Sequence, residues 1–190
     1  MADTQHIKGK GHSMTDARLP VIHFTGLEQV CMAVHDLQST MESLWHTFGI
    51  GPWNVYTMNA DSLRDTMYYG KPARFGFKVA RTKNKVGGVE IELIEPLEGN
   101  TIYHDFLRDH GEGIHHFGWH TVESMEAFGE TSRALEKDGF PCMMSGRTLR
   151  SAFAYFDTTK VLRTVLELVW WDPAAIASPP PQGRTFPNGG

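Results

Sequence analysis

Four side chains that can bind a metal ion recur at matching places in the two halves of the chain. The segment GLEQVCMA, which begins at residue 26, is answered 87 positions later by GIHHFGWH. Gln29 and His116 occupy the same place in these two segments. Each half then ends on a similar run, IEL or LEL, whose central residue is Glu92 or Glu167. Fixed-offset similarity indicates two copies of one supersecondary unit, so the sequence predicts a shared metal site.

These residue types favour a hard or borderline divalent ion. One His, one Gln and two Glu suit Zn²⁺, Ni²⁺, Co²⁺ or Mn²⁺ better than a thiolate-selective metal. Such an ion chelates adjacent substrate oxygens and lowers the pKa of a C–H bond next to a carbonyl. Glu92 and Glu167 are the predicted catalytic residues, because carboxylates from opposite halves could move protons on either face of a planar intermediate.

A solvated position at a sheet edge is the alternative interpretation for each glutamate taken alone. Glu167 argues against it, because the surrounding VLELVWW run is apolar on both faces and a carboxylate is seldom buried without a cation or hydrogen-bond partner. The equivalence of Glu92 and Glu167 in two copies argues against it as well. His115 faces the other side of its strand from His116, and the repeat alignment favours His116 as the ligand.

The elements that must position these residues follow from the hydrophobic pattern. We predict an α+β fold of two paired βαβββ modules that form an open, barrel-like sheet around a metal cleft. Asp36 is the expected N-cap of a first helix that ends at Gly49, and a short helix at 105–109 connects the modules. The other predicted elements are strands at 29–34, 53–58, 75–80, 88–94, 114–121, 140–144, 152–156 and 164–169, and a helix at 124–137.

The domain organisation predicted from composition is one domain with two tails. With 190 residues and 41% hydrophobic content, the chain can bury one substantial core. The expected domain covers 21–172, with module one at about 24–98 and module two at about 112–172. Residues 1–20 and the Pro/Gly-rich residues 173–190 are predicted to be disordered.

Charge and composition restrict the partners. The net charge is −4 without a basic cluster, which disfavours nucleic acid, and no apolar run is long enough to cross a membrane. Two cysteines and the polar N-terminus favour a reduced cytoplasm. A homodimer is the expected assembly. The predicted cleft walls, which would contact a small carbonyl substrate, are aromatic: Trp53, Tyr56, Phe75, Phe77, Phe153 and Tyr155.

These motifs are similar to those of the vicinal oxygen chelate superfamily, which includes glyoxalase I, methylmalonyl-CoA epimerase and the extradiol dioxygenases. The resemblance covers about residues 24–171. It is carried by GIHHFGW from Gly113, IELIEPL from Ile91, AYFDT from Ala154 and VLELV from Val165. It implies the paired modules and a metal cleft between them.

Within that superfamily, ligands and surrounding sequence point to different members. The epimerases carry His where this chain has Gln29 and Gln where it has Glu92, whereas Gln, Glu, His, Glu is the set of zinc-type glyoxalase I. The glutathione-anchoring positions of glyoxalase I do not carry over, because Ala33, Pro96 and Glu112 replace Arg, Asn and Arg. The resemblance therefore argues against a glutathione hemithioacetal as substrate.

Three functional hypotheses follow. The first is a metal-dependent isomerase, epimerase or lyase that abstracts a proton next to a carbonyl. The second is a non-haem metal dioxygenase or a hydrolase on the same scaffold, although Gln29 departs from the two-His, one-carboxylate set of Fe(II) oxygenases. The third is a protein that binds a hydrophobic ligand without turnover.

Overall fold

A computed structural model describes residues 20, 22–23, 26–119, 122–176 and 183–187. The elements of the first half are β1 (Gln29–Ala33), α1 (Leu37–Phe48), β2 (Trp53–Met58), β3 (Arg64–Tyr68), β4 (Lys71–Pro72), β5 (Phe77–Thr82) and β6 (Glu90–Pro96). The elements that follow are α2 (Ile102–His110), β7 (Gly113–Trp119), α3 (Met125–Lys137), β8 (Cys142–Arg147), β9 (Ser151–Phe156), α4 (Thr159–Leu162), β10 (Val165–Trp171), α5 (Pro173–Ile176) and β11 (Arg184–Phe186).

The strands form one sheet with a duplicated order. That order is β11-β2-β5-β6-β1-β7-β10-β9-β8-β3-β4. The run β2-β5-β6-β1 of the first half is mirrored by β7-β10-β9-β8 of the second, and β1 and β7 join the halves as an antiparallel pair. The predicted α+β class with an open sheet is confirmed.

The sheet curves strongly around its inner face. In a flat sheet β5 and β9, which are five strands apart, would be separated by roughly 24 Å, since neighbouring strands lie about 4.8 Å apart. The rings of Phe77 on β5 and Phe153 on β9 have centroids only 6.4 Å apart. The inner faces of both halves therefore share one core, in which Cys31, Val79 and Tyr155 are also buried.

Two long helices cover the outer face of the sheet. Asp36 caps α1 by accepting a hydrogen bond from the Ser39 amide at 3.0 Å, and Gly49 ends that helix in the left-handed region at φ 67°. Leu37 of α1 packs against the outer side of the first half, and Leu135 of α3 against that of the second. With the helices outside, the inner face is left to the side chains that line the site.

A hairpin inserted between β2 and β5 departs from the predicted modules. Its strands β3 and β4 leave their own half and pair at the far edge of the sheet, where β3 runs antiparallel to β8. Leu63 and Phe75, at the two ends of the insert, are buried in the inner core. The hairpin thus spans the opening between the two edges of the curved sheet.

The predicted C-terminal tail, 173–190, contains two short elements. Residues 173–176 form α5, and residues 184–186 form β11, an edge strand that pairs antiparallel with β2. A short edge strand needs only free backbone groups on its neighbour, a condition that composition does not reveal. Residues 177–182 and 188–190 lie outside the described residues, as does the predicted N-terminal tail apart from Pro20.

No helix in the described part of the chain is long and apolar enough to span a membrane. The predicted module boundaries, 24–98 and 112–172, stay predictions.

Candidate metal centre

The sheet register brings the four predicted ligands into two adjacent rows across its centre. The first row runs from β5 to β7 through residues directly opposite one another: Arg81, Glu92, Cys31 and His116. The second row runs from β6 to β9 in the same manner: Glu90, Gln29, Gly118, Glu167 and Tyr155. In each half two parallel neighbouring strands carry the predicted ligands: β1 and β6 carry Gln29 and Glu92, and β7 and β10 carry His116 and Glu167. All four side chains lie on the inner face of the sheet.

The four side chains are buried, and each has one polar atom in the cluster that makes no hydrogen bond within the described part of the chain. Their relative exposures are 0% for Gln29, 1% for Glu92, 0% for His116 and 3% for Glu167. Among the described residues, the atoms left without a hydrogen bond there are Gln29 Oε1, Glu92 Oε2, His116 Nε2 and Glu167 Oε2. His116 Nε2 lies 3.4 Å from both carboxylate oxygens. Buried polar atoms are rarely left without a hydrogen bond, and a bound cation would satisfy all four at once.

The other polar atom of each of the four side chains makes a hydrogen bond to a residue outside the set of four. The Gln29 amide nitrogen donates to Glu90 at 2.7 Å, which fixes its oxygen toward the centre. His115 and His116 share a hydrogen bond between their Nδ1 atoms at 2.9 Å, which leaves Nε2 of His116 free to bind. Such outer partners orient metal ligands and are typical of metal sites.

The two carboxylates have partners of different charge. Arg81 donates from Nε to Glu92 at 2.7 Å, whereas Glu167 accepts the hydroxyl of Tyr155 at 2.5 Å. Tyr155 in turn accepts a hydrogen bond of 2.7 Å from the Tyr103 hydroxyl of α2. A guanidinium therefore backs one carboxylate and a chain of neutral phenols backs the other.

Electrostatics in the centre follow from burial and these contacts. Burial alone would raise the pKa of Glu92, but Arg81 and His116 outweigh it and hold that pKa at about 2. Burial would lower the pKa of His116, but the carboxylates of Glu167 and Glu92 raise it to about 9. Burial is also the main cause that raises the pKa of the Cys31 thiol well above its usual range. The centre is thus an anionic pocket that favours positive charge.

The donor set fits a divalent ion. Ligand atoms bound to one ion at about 2.1 Å in a tetrahedral arrangement lie about 3.4 Å apart. That is the separation of His116 Nε2 from each carboxylate oxygen. One amide oxygen, one imidazole nitrogen and two carboxylate oxygens are the donors expected for Zn²⁺, Co²⁺, Ni²⁺ or Mn²⁺.

Five of the six predicted aromatic wall residues lie on the inner face. Phe75, Phe77, Phe153 and Tyr155 belong to the inner core, and Tyr56 packs against it. Trp53 lies apart from them, because its side chain is buried on the outer face beneath α1. Side chains alternate along β2, so Trp53 and Tyr56 point to opposite faces.

Sequence reasoning missed several residues that shape the centre. Arg81 and Tyr103 were not predicted, and Tyr155 was predicted only as a wall. Glu90, the partner of Gln29, was not predicted either. The available signal was the buried Glu167, which required a hydrogen-bond partner that the sequence could not name.

The chain matches a family model and several solved structures. Residues 28–156 match the model of the glyoxalase/bleomycin resistance protein/dioxygenase superfamily. Methylmalonyl-CoA epimerase from Mycobacterium tuberculosis is 21% identical, with a TM-score of 0.56, over 85% of this chain and 98% of that one. A Streptomyces coelicolor methylmalonyl-CoA epimerase variant in complex with 2-nitronate-propionyl-CoA is 18% identical, with a TM-score of 0.54, over 80% and 97%.

A methylmalonyl-CoA epimerase in complex with methylmalonyl-CoA and NH4+ is 20% identical, with a TM-score of 0.53, over 80% of this chain and 97% of that one. At these identities the likeness concerns the fold. No curated protein sequence matches the chain.

Proposed function

The chain belongs to the glyoxalase/bleomycin resistance protein/dioxygenase superfamily, and we propose that it is a metal-dependent isomerase, epimerase or lyase that moves a proton at a carbon next to a carbonyl. One observation carries the proposal: four buried polar atoms, from Gln29, Glu92, His116 and Glu167, lie in one cluster without a hydrogen bond among the described residues. A divalent ion bound among them would supply a Lewis acid that polarises a substrate carbonyl and acidifies the neighbouring C–H bond.

The unequal partners of the two carboxylates assign their roles. Glu92 is ion-paired with Arg81 at 2.7 Å, which stabilises its ionised form and makes it a poor proton acceptor. Glu167 is hydrogen-bonded to the neutral Tyr155 and shares the His116 imidazole with Glu92 at 3.4 Å, so it lacks the additional cation that Arg81 gives to Glu92. We therefore assign Glu167 as the general base and Glu92 as a ligand that stays charged.

The substrate class follows from the same centre. The inner face around it is aromatic and aliphatic, which suits a small organic carbonyl compound with few charges. The structural neighbours that are epimerases include one in complex with methylmalonyl-CoA, which supports a carboxylic acid or thioester carbonyl as the first compounds to test. Exchange measured on a free acid and on its CoA thioester would show whether a carrier is needed.

Metal content and thermal stability test the centre directly. We expect about one Zn²⁺, Co²⁺, Ni²⁺ or Mn²⁺ per chain by elemental analysis. An ion present at 100 times its Kd stabilises the folded state by about 2.7 kcal/mol, which corresponds to a Tm increase of roughly 5–10 °C in a chain of this size. His116→Ala removes one ligand and should lose both the bound metal and the Tm increase.

His46→Ala is the matched control, because it removes an exposed imidazole at the end of α1 on the outer side of the sheet. It should keep the metal and the Tm increase. Full metal occupancy in His116→Ala would overturn the ligand assignment. Stoichiometric iron together with oxygen uptake would favour the dioxygenase hypothesis, and a tight hydrophobic ligand without metal would favour a binding protein.

The expected homodimer and cytoplasmic location stay predictions. Sedimentation at micromolar concentration tests the first, and fractionation of the source cell tests the second.

A further inference from the structure

Cys31 occupies the middle of the first row, between two of the metal ligands. It lies directly opposite Glu92 on β6 and directly opposite His116 on β7. It is also two residues from Gln29 on the same face of β1, so all three neighbours and Cys31 point inward. The matching position in the second half of the chain is Gly118, which has no side chain to offer. The sulfur is therefore an asymmetric addition to an otherwise duplicated site.

Distance and burial make the thiol part of the cluster. Cys31 Sγ lies within 4.8 Å of the ligand atoms of both Glu92 and His116, and its side chain is fully buried. Two atoms bound to one ion at about 2.0–2.3 Å are at most about 4.5 Å apart. That limit holds only for donors on opposite sides of the ion; neighbouring donors lie about 3.5 Å apart, so the sulfur reaches an ion held by the other two residues after a shift of roughly 1 Å.

The thiol already contacts one of the predicted ligands. Its hydrogen bond to the backbone is a long contact of 3.7 Å to the carbonyl of Met32, and its side chain also interacts with the Glu92 carboxylate. Glu92 and His116, which form the cluster with it, each have a buried polar atom that makes no hydrogen bond in the described part of the chain. An ion bound there would take the place of the thiol proton beside Glu92.

We propose that Cys31 is a fifth protein ligand of the metal centre, bound as a thiolate. The inference rests on the proposed metal site. On binding, the S–H bond breaks, its proton passes to solvent and the sulfur lone pair forms the bond to the ion, without any change in oxidation state. A thiolate among oxygen and nitrogen donors shifts preference toward Co²⁺, Ni²⁺, Zn²⁺ and Cd²⁺ and away from Mn²⁺ and Mg²⁺.

Titration of the full-length protein with Co²⁺ separates the two claims. Visible d–d bands that saturate at one Co²⁺ per chain report the site, and a near-ultraviolet thiolate-to-cobalt charge-transfer band reports the sulfur. We expect both in the wild-type protein. Saturating d–d bands without the charge-transfer band would overturn the Cys31 inference and leave the metal site standing. No stoichiometric Co²⁺ would overturn the metal site and the inference with it.

Two substitutions sharpen the test. Cys31→Ser should keep the d–d bands and lose the charge-transfer band. Cys142→Ser is the matched control, because Cys142 lies on β8 outside the cluster and packs against the outer core; it should keep both bands. A charge-transfer band that survives in Cys31→Ser would overturn the proposal. If Cys31→Ser does not fold, the wild-type spectrum decides alone.

Metal selectivity gives a second readout. Loss of an outer-shell partner alone typically costs 10–100-fold in metal affinity, so loss of a direct sulfur ligand should lower Cd²⁺ affinity by at least about tenfold. Mn²⁺ affinity should change much less, because Mn²⁺ gains little from a thiolate. Equal losses for Cd²⁺ and Mn²⁺ in Cys31→Ser would contradict a sulfur–metal bond.

Discussion

Glu92 and Glu167 lie in the same cluster, but their outer hydrogen-bond partners differ in charge. The ion pair with Arg81 keeps Glu92 ionised, and Arg81 also lies 5.1 Å from the ring centre of Trp171, which limits its freedom to move. Glu167 accepts the Tyr155 hydroxyl instead, and the His116 imidazole lies 3.4 Å from both carboxylates. Roles that look equivalent in the repeated sequence are therefore unequal in the folded chain.

Glu167→Gln tests this difference. The amide can still offer an oxygen to a metal but cannot accept a proton, so solvent-deuterium exchange into a carbonyl substrate should fall by about 10²–10⁴-fold while substrate binding changes little. Glu92→Gln is the matched variant, and it should lose metal affinity more than it loses exchange at saturating metal. Wild-type exchange rates in both variants, with metal retained, would rule out carboxylate-mediated proton transfer.

The half-buried Cys142 offers a test of the outer side of β8. Burial raises the pKa of its thiol to about 11, so the reactive thiolate is scarce at pH 8 and increases tenfold with each pH unit until about pH 11. The higher nucleophilicity of a more basic thiolate recovers part of the loss, which leaves iodoacetamide alkylation about tenfold slower than for a free cysteine. The alkylation rate of Cys142 can be measured by mass spectrometry over pH 7–10. Rapid alkylation at pH 7 would contradict this environment.

The repeat singled out in the sequence the four side chains that the fold brings together, because duplicated units keep equivalent residues at equivalent places; their role as metal ligands stays a prediction. The hydrogen-bond partners of these four side chains could not be predicted from the sequence. Arg81 meets Glu92, and Tyr155 meets Glu167, only through cross-strand register, which depends on how strands pair rather than on spacing along the chain.

At the scale of elements, the hairpin β3–β4 was the main structure that the sequence did not predict. The strand Arg64–Tyr68 is polar, lacks apolar alternation and is held in place by its pairing with the distant β8. The helices and core strands were predictable because their caps and apolar periods are local signals.

A hydrogen bond from the Tyr68 hydroxyl to Asp105 at 2.6 Å ties the hairpin to α2. The centre is buried, so exchange of an ion requires some element to move, and this contact joins two elements that cover the inner face. Tyr68→Phe should lower the free energy of unfolding by about 1–2 kcal/mol and accelerate metal removal by a chelator. Both effects come from easier opening of the hairpin.

Tyr56→Phe is the control, because it removes a phenolic hydroxyl from β2 rather than from the hairpin. Hydrogen exchange should increase in 59–76 in the Tyr68 variant only. Unchanged chelation and exchange rates in that variant would show that the metal leaves by another route.

At the scale of the whole molecule, both halves of the chain contribute residues to the candidate metal centre. Gln29 and Glu92 come from the first half, His116 and Glu167 from the second, and the β1–β7 pair joins them. The inner core is shared in the same way, since Phe77 packs against Phe153 across the cleft. Each half alone would expose an apolar face that the other covers in the intact chain.

Separation of the chain at Gly111, between α2 and β7, tests this dependence. Each half alone should lack a cooperative thermal transition by circular dichroism and bind no stoichiometric metal, because it retains two of the four predicted ligands and half of the core. Co-expression of the halves should restore about one divalent ion per pair, since the β1–β7 seam can re-form between chains. His116→Ala in the second fragment is the control and should abolish that recovery. If the first fragment folds cooperatively and binds one ion by itself, the shared centre does not exist as described.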